Sequence, residues 1–310
     1  MATPPSPPPA VIRSLTTFFL GGWDLSICAD LILQGIIFAQ IAHYTTLYGK
    51  DVLTVQAFVA VLLVITTLKS AHGLAILWIQ NVEHFMDLNA ALSMFTNSWP
   101  TQVNLALIAL ISFYVQVFFC RRLWGISKNV YILGLVVALF VFALVAAIVS
   151  CVFTFAGQVK NVTWIEIYTA TGLAGDVLLS GSTIYFLLCH SKHALPETAG
   201  MLNSITKLTF QSAAPAAVCA LITLVVTVAW DRTTPNAYVM LSLITNNMLP
   251  KLYAISAMWT INSRRSIRQA HSSTGQDSTT ATSNTRHTTQ TAIELSAPWL
   301  SSDWGTASHV

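Results

Sequence analysis

Four ionisable residues stand inside apolar runs where charge is costly: Asp30, Lys69, Asp176 and Lys251. A charged side chain at the centre of a membrane-spanning helix costs about 2.5–3.5 kcal/mol on insertion scales, so each must face a protein interior and find a partner. Counted at 1.5 Å per residue from the predicted inner helix ends, the four lie about 16–25 Å deep, two acids and two bases in one slab. Polar neighbours at helical spacing extend the set. Gln34 lies one turn beyond Asp30, His72 follows Lys69 by three residues, and Asn246 and Asn247 precede Lys251 by about one turn. Such a group could lock helices together, relay protons or ions, or hold a small ligand or ion in a wet core. The expected arrangement is one neutral network, with Asp30 opposite Lys69 and Asp176 opposite Lys251, or with the partners exchanged around the bundle.

Other chemistries find less support. There is no nucleophile with a base and an orienting group, no metal cage and no phosphate loop, so no catalytic residue, metal or cofactor is assigned and an enzyme is the least favoured class. The five cysteines, Cys28, Cys120, Cys151, Cys189 and Cys219, fall inside or at the edges of apolar segments and contain no CxxC pair; they read as small buried hydrophobes. Cys120 and Cys189 adjoin predicted inner helix ends and are acylation candidates. A lysine in a last helix invites comparison with retinal proteins, but the third apolar run, Gln102 to Leu123, holds no carboxylate to serve as counter-ion. Glu83, His84 and Asp87 read as the solvated side of a short helix.

The elements that must position these residues follow from composition. The 310 residues include only 15 Lys and Arg and 12 Asp and Glu, 9% charged, against roughly 25% in a soluble domain. With 54% apolar residues, the chain suits a lipid solvent, and disordered, collagenous and disulfide-framed classes are excluded. A net charge of +3 without a basic stripe excludes nucleic acid as a partner. Seven apolar runs long enough to span are expected: Leu20–Tyr44, Val52–Gln80, Gln102–Leu123, Val130–Phe155, Trp164–Cys189, Ile205–Trp230 and Asn236–Asn262. The seventh, with Asn246, Asn247, Pro250 and Lys251, is the one of the seven most open to a break or a misassignment, and its continuity is left open. Between the second and third runs, Phe85, Leu88, Leu92, Phe95 and Trp99 recur every three or four residues, which predicts a short interfacial helix.

The expected fold is therefore all-α and polytopic. Residues 1–19 form a disordered Pro-rich arm, 20–262 a seven-helix transmembrane domain, and 263–310 a disordered Ser/Thr-rich tail. Orientation comes from the basic residues. Lys50, Arg121, Arg122, Lys128, Lys192, Lys207, Arg264, Arg265, Arg268 and Arg286 fall on one side; Arg13, Lys160 and Arg232 fall on the other. Cytoplasmic loops retain positive charge, so the N-terminus is expected outside and the tail in the cytoplasm. The N-x-S/T sequon at Asn161 then lies outside and is a glycosylation candidate. Arg264, Arg265 and Arg268 at the head of the tail would be drawn to anionic lipid, an attraction that phosphorylation of nearby serines would offset.

The residues so assembled resemble a family of fungal integral membrane proteins known as domain of unknown function 6534, expanded in mushroom-forming fungi. The resemblance is carried by Gly35-Ile36 with Gln40, Tyr44 and Asp51, by Val115-Gln116-Val117-Phe118-Phe119 followed by Arg121, Leu123 and Ser127, and by Asp176. It closes on Lys251-Leu252-Tyr253 through Ile261-Asn262-Ser263-Arg264, which is similar to the family's Lys-x-Tyr and Leu-Asn-x-Arg signature; the family core is placed at about 165–265. Gln56 stands where the family would place a lysine, and Ser212-Ala213-Ala214-Pro215 replaces a Thr-Gly-type stretch. The resemblance implies seven helices and a cytoplasmic tail, with no activity or catalytic residue to transfer. Likeness to rhodopsin-class receptors is architectural only: the third run ends Cys120-Arg121-Arg122, and the seventh has Leu249-Pro250-Lys251-Leu252-Tyr253.

The functional expectation is a sensor or receptor-like membrane protein, in the plasma membrane or an endomembrane. It would use the polar core for a small ligand or ion, and Arg121, Arg122, Lys128 and the tail for a cytoplasmic partner. A transporter or channel using Asp30, Lys69, His72, Asp176 and Lys251 is the alternative, and a structural protein held by helix-locking ion pairs is the third reading.

Overall fold

The computed structural model of the chain describes residues 9–47, 51–85, 87–97, 99–155, 161–193, 214–229 and 236–274. These residues are nearly all helical. Helix α1, Pro9–Ser14, runs through a π-helical turn, Leu15–Leu20, into α2, Gly21–Leu47. Helix α3, Leu53–Trp78, ends in a second π turn, Ile79–Glu83, and is followed by α4, Leu88–Asn97. Then come α5, Trp99–Ser127, α6, Val130–Phe155, and α7, Asn161–His193. Helix α8 covers Ala214–Ala229 and α9 covers Ala237–Thr274.

Among the described residues, five stretches are long and apolar enough to cross a membrane: Ile12–Leu47, Leu53–Glu83, Trp99–Ser127, Val130–Thr154 and Thr163–Cys189. Helix α8 is apolar but shorter, and α9 is long but interrupted by Asn246, Asn247 and Lys251. The outward faces are apolar. Ile32, Val64, Leu68 and Val177 are each more than half exposed, whereas Asp30, Lys69 and Lys251 are at most 3% exposed. Apolar outside and charged inside reverses the pattern of a water-soluble protein and indicates a membrane location.

Two expected boundaries require correction. The helix begins at Pro9, inside the segment expected to be a disordered arm, because proline lacks only an N–H that the first helical turn leaves unused. At the other end α9 runs on to Thr274, past the expected boundary at 262. The open question of the last run is answered by α9, which passes through Pro250 without a break. A proline within a helix deprives one carbonyl a turn earlier of its partner, a loss tolerated where neighbouring helices and side chains compensate.

The packing divides into two halves joined by α5. Helix α2 lies along α9, with α3 beside both, while α6 lies along α7, and α5 touches α3, α6, α7 and α9. The first half is closed by Ile37, Ile41, Leu62, Ala254, Ala257 and Met258 from α2, α3 and α9. The second interdigitates Ala109, Ala143, Ala146 and Ala147 with Tyr168. Small residues allow the close helix approach that membrane bundles use in place of a hydrophobic driving force. At Gly22, an added Cβ would stand 3.1 Å from the Met240 Cα, so glycine sets the α2–α9 spacing. Helix α8 is tied to α9 by Thr223 Oγ1 donating to Thr245 Oγ1 at 2.7 Å and by the Thr227–Ser242 hydroxyl pair at 2.9 Å.

Lys128, with φ 50°, turns the chain from α5 into α6 in the left-handed region that glycine usually fills. Asn129 then starts α6, its Oδ1 accepting from the Tyr131 and Ile132 amides at 3.0 and 3.4 Å.

Candidate functional site

Helical spacing assembles the first polar cluster. Asp30 and Gln34 are one turn apart on α2, and Thr66, Lys69 and Ser70 occupy one face of α3. Lys69 Nζ donates to Asp30 Oδ1 at 2.6 Å and Ser70 Oγ donates to Asp30 Oδ2 at 2.7 Å. Lys251 enters from α9 with no exposed surface. Its ammonium donates to Gln34 Oε1 at 2.5 Å, to the Thr66 carbonyl at 2.7 Å and to Ser70 Oγ at 2.8 Å, and lies 3.6 Å from Asp30 Oδ2. Three acceptors satisfy the three protons of an ammonium group. Gln34 completes the set by donating from Nε2 to Thr67 Oγ1 at 3.3 Å.

A second cluster surrounds Asp176, which is 8% exposed on α7. Gln116 Nε2 of α5 donates to Asp176 Oδ1 at 3.3 Å, and the Tyr253 hydroxyl of α9 donates to Asp176 Oδ2. No cation stands within ion-pair distance of this carboxylate among the described residues. Gln116 and Tyr253 also border a cavity of about 20 Å³ shared by α5, α6, α7, α8 and α9, with room for a water molecule or two. Ser112, Tyr168 and Thr169 add hydroxyls to its wall, and Gly172 places the wall one turn from Asp176. Ser112 Oγ is buried beside the Tyr168 hydroxyl.

The expected single network is thus two. Asp176 does not meet Lys251, because the Lys251 ammonium is fully engaged by α2 and α3, and the α9 residue that reaches Asp176 is Tyr253. His72 belongs to neither cluster; its Nε2 lies 2.8 Å from the Pro100 carbonyl, where it ties α3 to α5. Asn247 accepts from Asn104 Nδ2 at 3.0 Å and donates to the Leu243 carbonyl at 3.1 Å, and the half-buried Asn246 joins neither cluster. Among the basic residues, Arg121 and Lys128 are exposed, with Lys128 Nζ 5.9 Å from the Trp124 ring. Arg122 is only 4% exposed and is a core residue rather than a surface cation, since it falls on the bundle-facing side of α5 with Leu123 and Ile126. The side chains of Asn161, Arg264, Arg265 and Arg268 lie outside the described residues.

Gln34 apart, the hydroxyl and amide partners are not marked by charge in the sequence. Ser70 and Thr66 resemble any small residue of a spanning helix, and Gln116 and Tyr253 stood out only within family-like motifs. Their roles depend on which helices meet. The first cluster formally carries two ammonium groups and one carboxylate; the second carries one carboxylate and no ammonium. Residues 172–266, which span Asp176, Lys251 and Tyr253, match the model of a family of unknown function, DUF6534. No curated protein and no solved structure matches the chain.

Proposed function

We propose that this chain, whose residues 172–266 belong to the DUF6534 family, is a seven-helix sensor of receptor-like architecture, with its N-terminus outside and its tail in the cytoplasm. The spans are α2, α3, α5, α6, α7, α8 and α9. The first five have the length and apolarity to cross, and the buried contacts of α8 and α9 with them support the remaining two. The excess of Lys and Arg on the tail side supports the orientation.

The observation that carries the sensor reading is the split polar core. The Asp30–Lys69–Lys251 cluster pairs its carboxylate with two ammonium groups, engages all three protons of Lys251 and clamps α2, α3 and α9. Asp176 has hydrogen bonds but no counter-charge, and it adjoins a polar cavity. A fixed clamp beside an uncompensated site suits a two-state element that a small ligand or ion can bias. A transport pathway calls instead for ionisable groups in one continuous file, and these lie in two separate clusters. In this reading the protein catalyses no reaction, and Arg121, Lys128 and the tail serve a cytoplasmic partner at the plasma membrane or an endomembrane.

Reconstitution in liposomes loaded with pH- and ion-sensitive dyes tests the reading. No flux is expected from the wild type; flux abolished by Asp176→Asn would replace the sensor with a transporter. Hydrogen exchange separates a sensor from a purely structural role: Asp176→Asn is expected to change amide protection along α7 and α9, and unchanged protection would leave only the clamp.

A further inference from the structure

We propose that the cavity between α5, α7 and α9 is a monovalent-cation site of sodium type, its ion held by side-chain oxygens of Ser112, Gln116 and Tyr253 with Asp176 as the counter-charge. This deepens the sensor reading and rests on it for the identity of the responsive site. Four observations converge. Asp176 is buried in an apolar helix with no cation within ion-pair distance among the described residues, and a lone charge in such a place is costly until it is balanced. Its two hydrogen-bond partners are themselves cavity-lining residues, so the carboxylate is coupled directly to the space. The Ser112 hydroxyl, 3% exposed, lines the same cavity beside the Tyr168 hydroxyl and has lone pairs to offer. The volume, about 20 Å³, accepts something the size of one or two waters and excludes an organic amine.

The donor set also selects the charge of the guest. Gln116 gives an N–H to Asp176 and keeps its Oε1 as an acceptor; Tyr253 gives its O–H to the same carboxylate and keeps an oxygen lone pair. Oxygen donors without sulfur or imidazole suit hard cations. Calcium and magnesium sites rely on oxygen ligands dominated by carboxylates, and a divalent ion beside this one carboxylate would leave a net positive charge in lipid. One carboxylate balances one positive charge. The already cationic Asp30–Lys69–Lys251 cluster offers no second carboxylate free to help, since both oxygens of Asp30 are engaged.

The experiment is thermal unfolding of the purified full chain in detergent at fixed ionic strength, at neutral and again at acid pH, with sodium exchanged for choline. A bound ion stabilises the folded state in proportion to the logarithm of its concentration. The wild type is expected to melt roughly 3 °C or more higher in ~150 mM NaCl than in choline chloride. Asp176→Asn is expected to lose the shift, and Ser112→Ala to reduce it. Should Asp176→Asn fail to fold, sodium-23 relaxation on the wild type and on Ser112→Ala gives the same answer. Equal melting in sodium and choline overturns the proposal, as does stabilisation by acid alone, which would make a proton the only partner of Asp176. Because the flux assay is separate, the two readings fail separately: flux without a sodium shift, or no flux without one, removes the site, whereas flux with a sodium shift removes the sensor and keeps the site.

Discussion

Lys251 and Tyr253 stand two residues apart on α9 and serve different clusters, Lys251 bonding to Gln34, Thr66 and Ser70 on α2 and α3, and Tyr253 to Asp176 on α7. Two residues along an α-helix turn about 200°, so one short motif reaches both halves of the bundle. Helix α9 is thereby the shared wall of the two polar clusters.

Asp30 is the hub of the clamp, since it meets Lys69, Ser70 and Lys251, whereas Lys69 meets Asp30 alone among the described contacts. Asp30→Asn is expected to cost more than Lys69→Met, about 3–5 kcal/mol, because it strands two ammonium groups rather than one carboxylate that Lys251 still faces. The double variant is expected to be non-additive by more than about 0.5 kcal/mol in detergent unfolding. Additive losses would show that the pair does not interact.

Lys251→Arg is not expected to rescue Lys251→Met. The site has no exposed surface and presents three acceptors around one nitrogen, which fits a compact ammonium and not a planar guanidinium. Melting of both variants well below the wild type is the expected result; near-native melting of the arginine variant would disprove the geometry.

Tyr253→Phe deletes a donor to a buried carboxylate and is expected to cost about 1–3 kcal/mol. Asp176→Asn, measured without sodium, is expected to be tolerated or stabilising, because the amide oxygen still accepts from Tyr253 and no uncompensated charge remains. The order of these two variants in a denaturation series checks the claim, and the reverse order would refute it.

Gly175→Ala and Gly181→Ala lie on the same helix and are expected to differ in sign. A Cβ at Gly175 would meet the buried Phe140 ring at 2.5 Å, whereas at Gly181 it meets nothing within 4 Å. The first is expected to lose about 1–3 kcal/mol through overpacking at the α6–α7 contact. The second gains up to about 1 kcal/mol of helix propensity. Thermal melting of the two variants side by side decides it.

Much of the helical layout was legible along the chain, because the need to satisfy backbone groups in lipid forces long apolar runs and leaves short polar gaps. The short helix before α5 was legible too, as an apolar period of three and four; α4 occupies Leu88–Asn97. The entry at Pro9 and the unbroken passage through Pro250 were not, since proline tolerance depends on helix position and on the neighbours that replace lost hydrogen bonds. Arg122 looked like a surface cation beside Arg121, but adjacent residues on a helix face about 100° apart, and only packing says which one turns inward.

For the polar core the division is sharper. Scarcity of charge by itself determined that Asp30, Lys69, Asp176 and Lys251 had to be interior residues, because exposure to lipid is too costly at each. Which groups Lys251 and Asp176 meet was decided by the tertiary structure alone. Partner choice depends on helix rotation and neighbour order, and those are set by the summed packing of small and large side chains far from any charge: Gly22 against Met240, Ala143 and Ala147 against α5 and α7. That packing gives Lys251 to Asp30 and leaves Asp176 to a tyrosine and a glutamine.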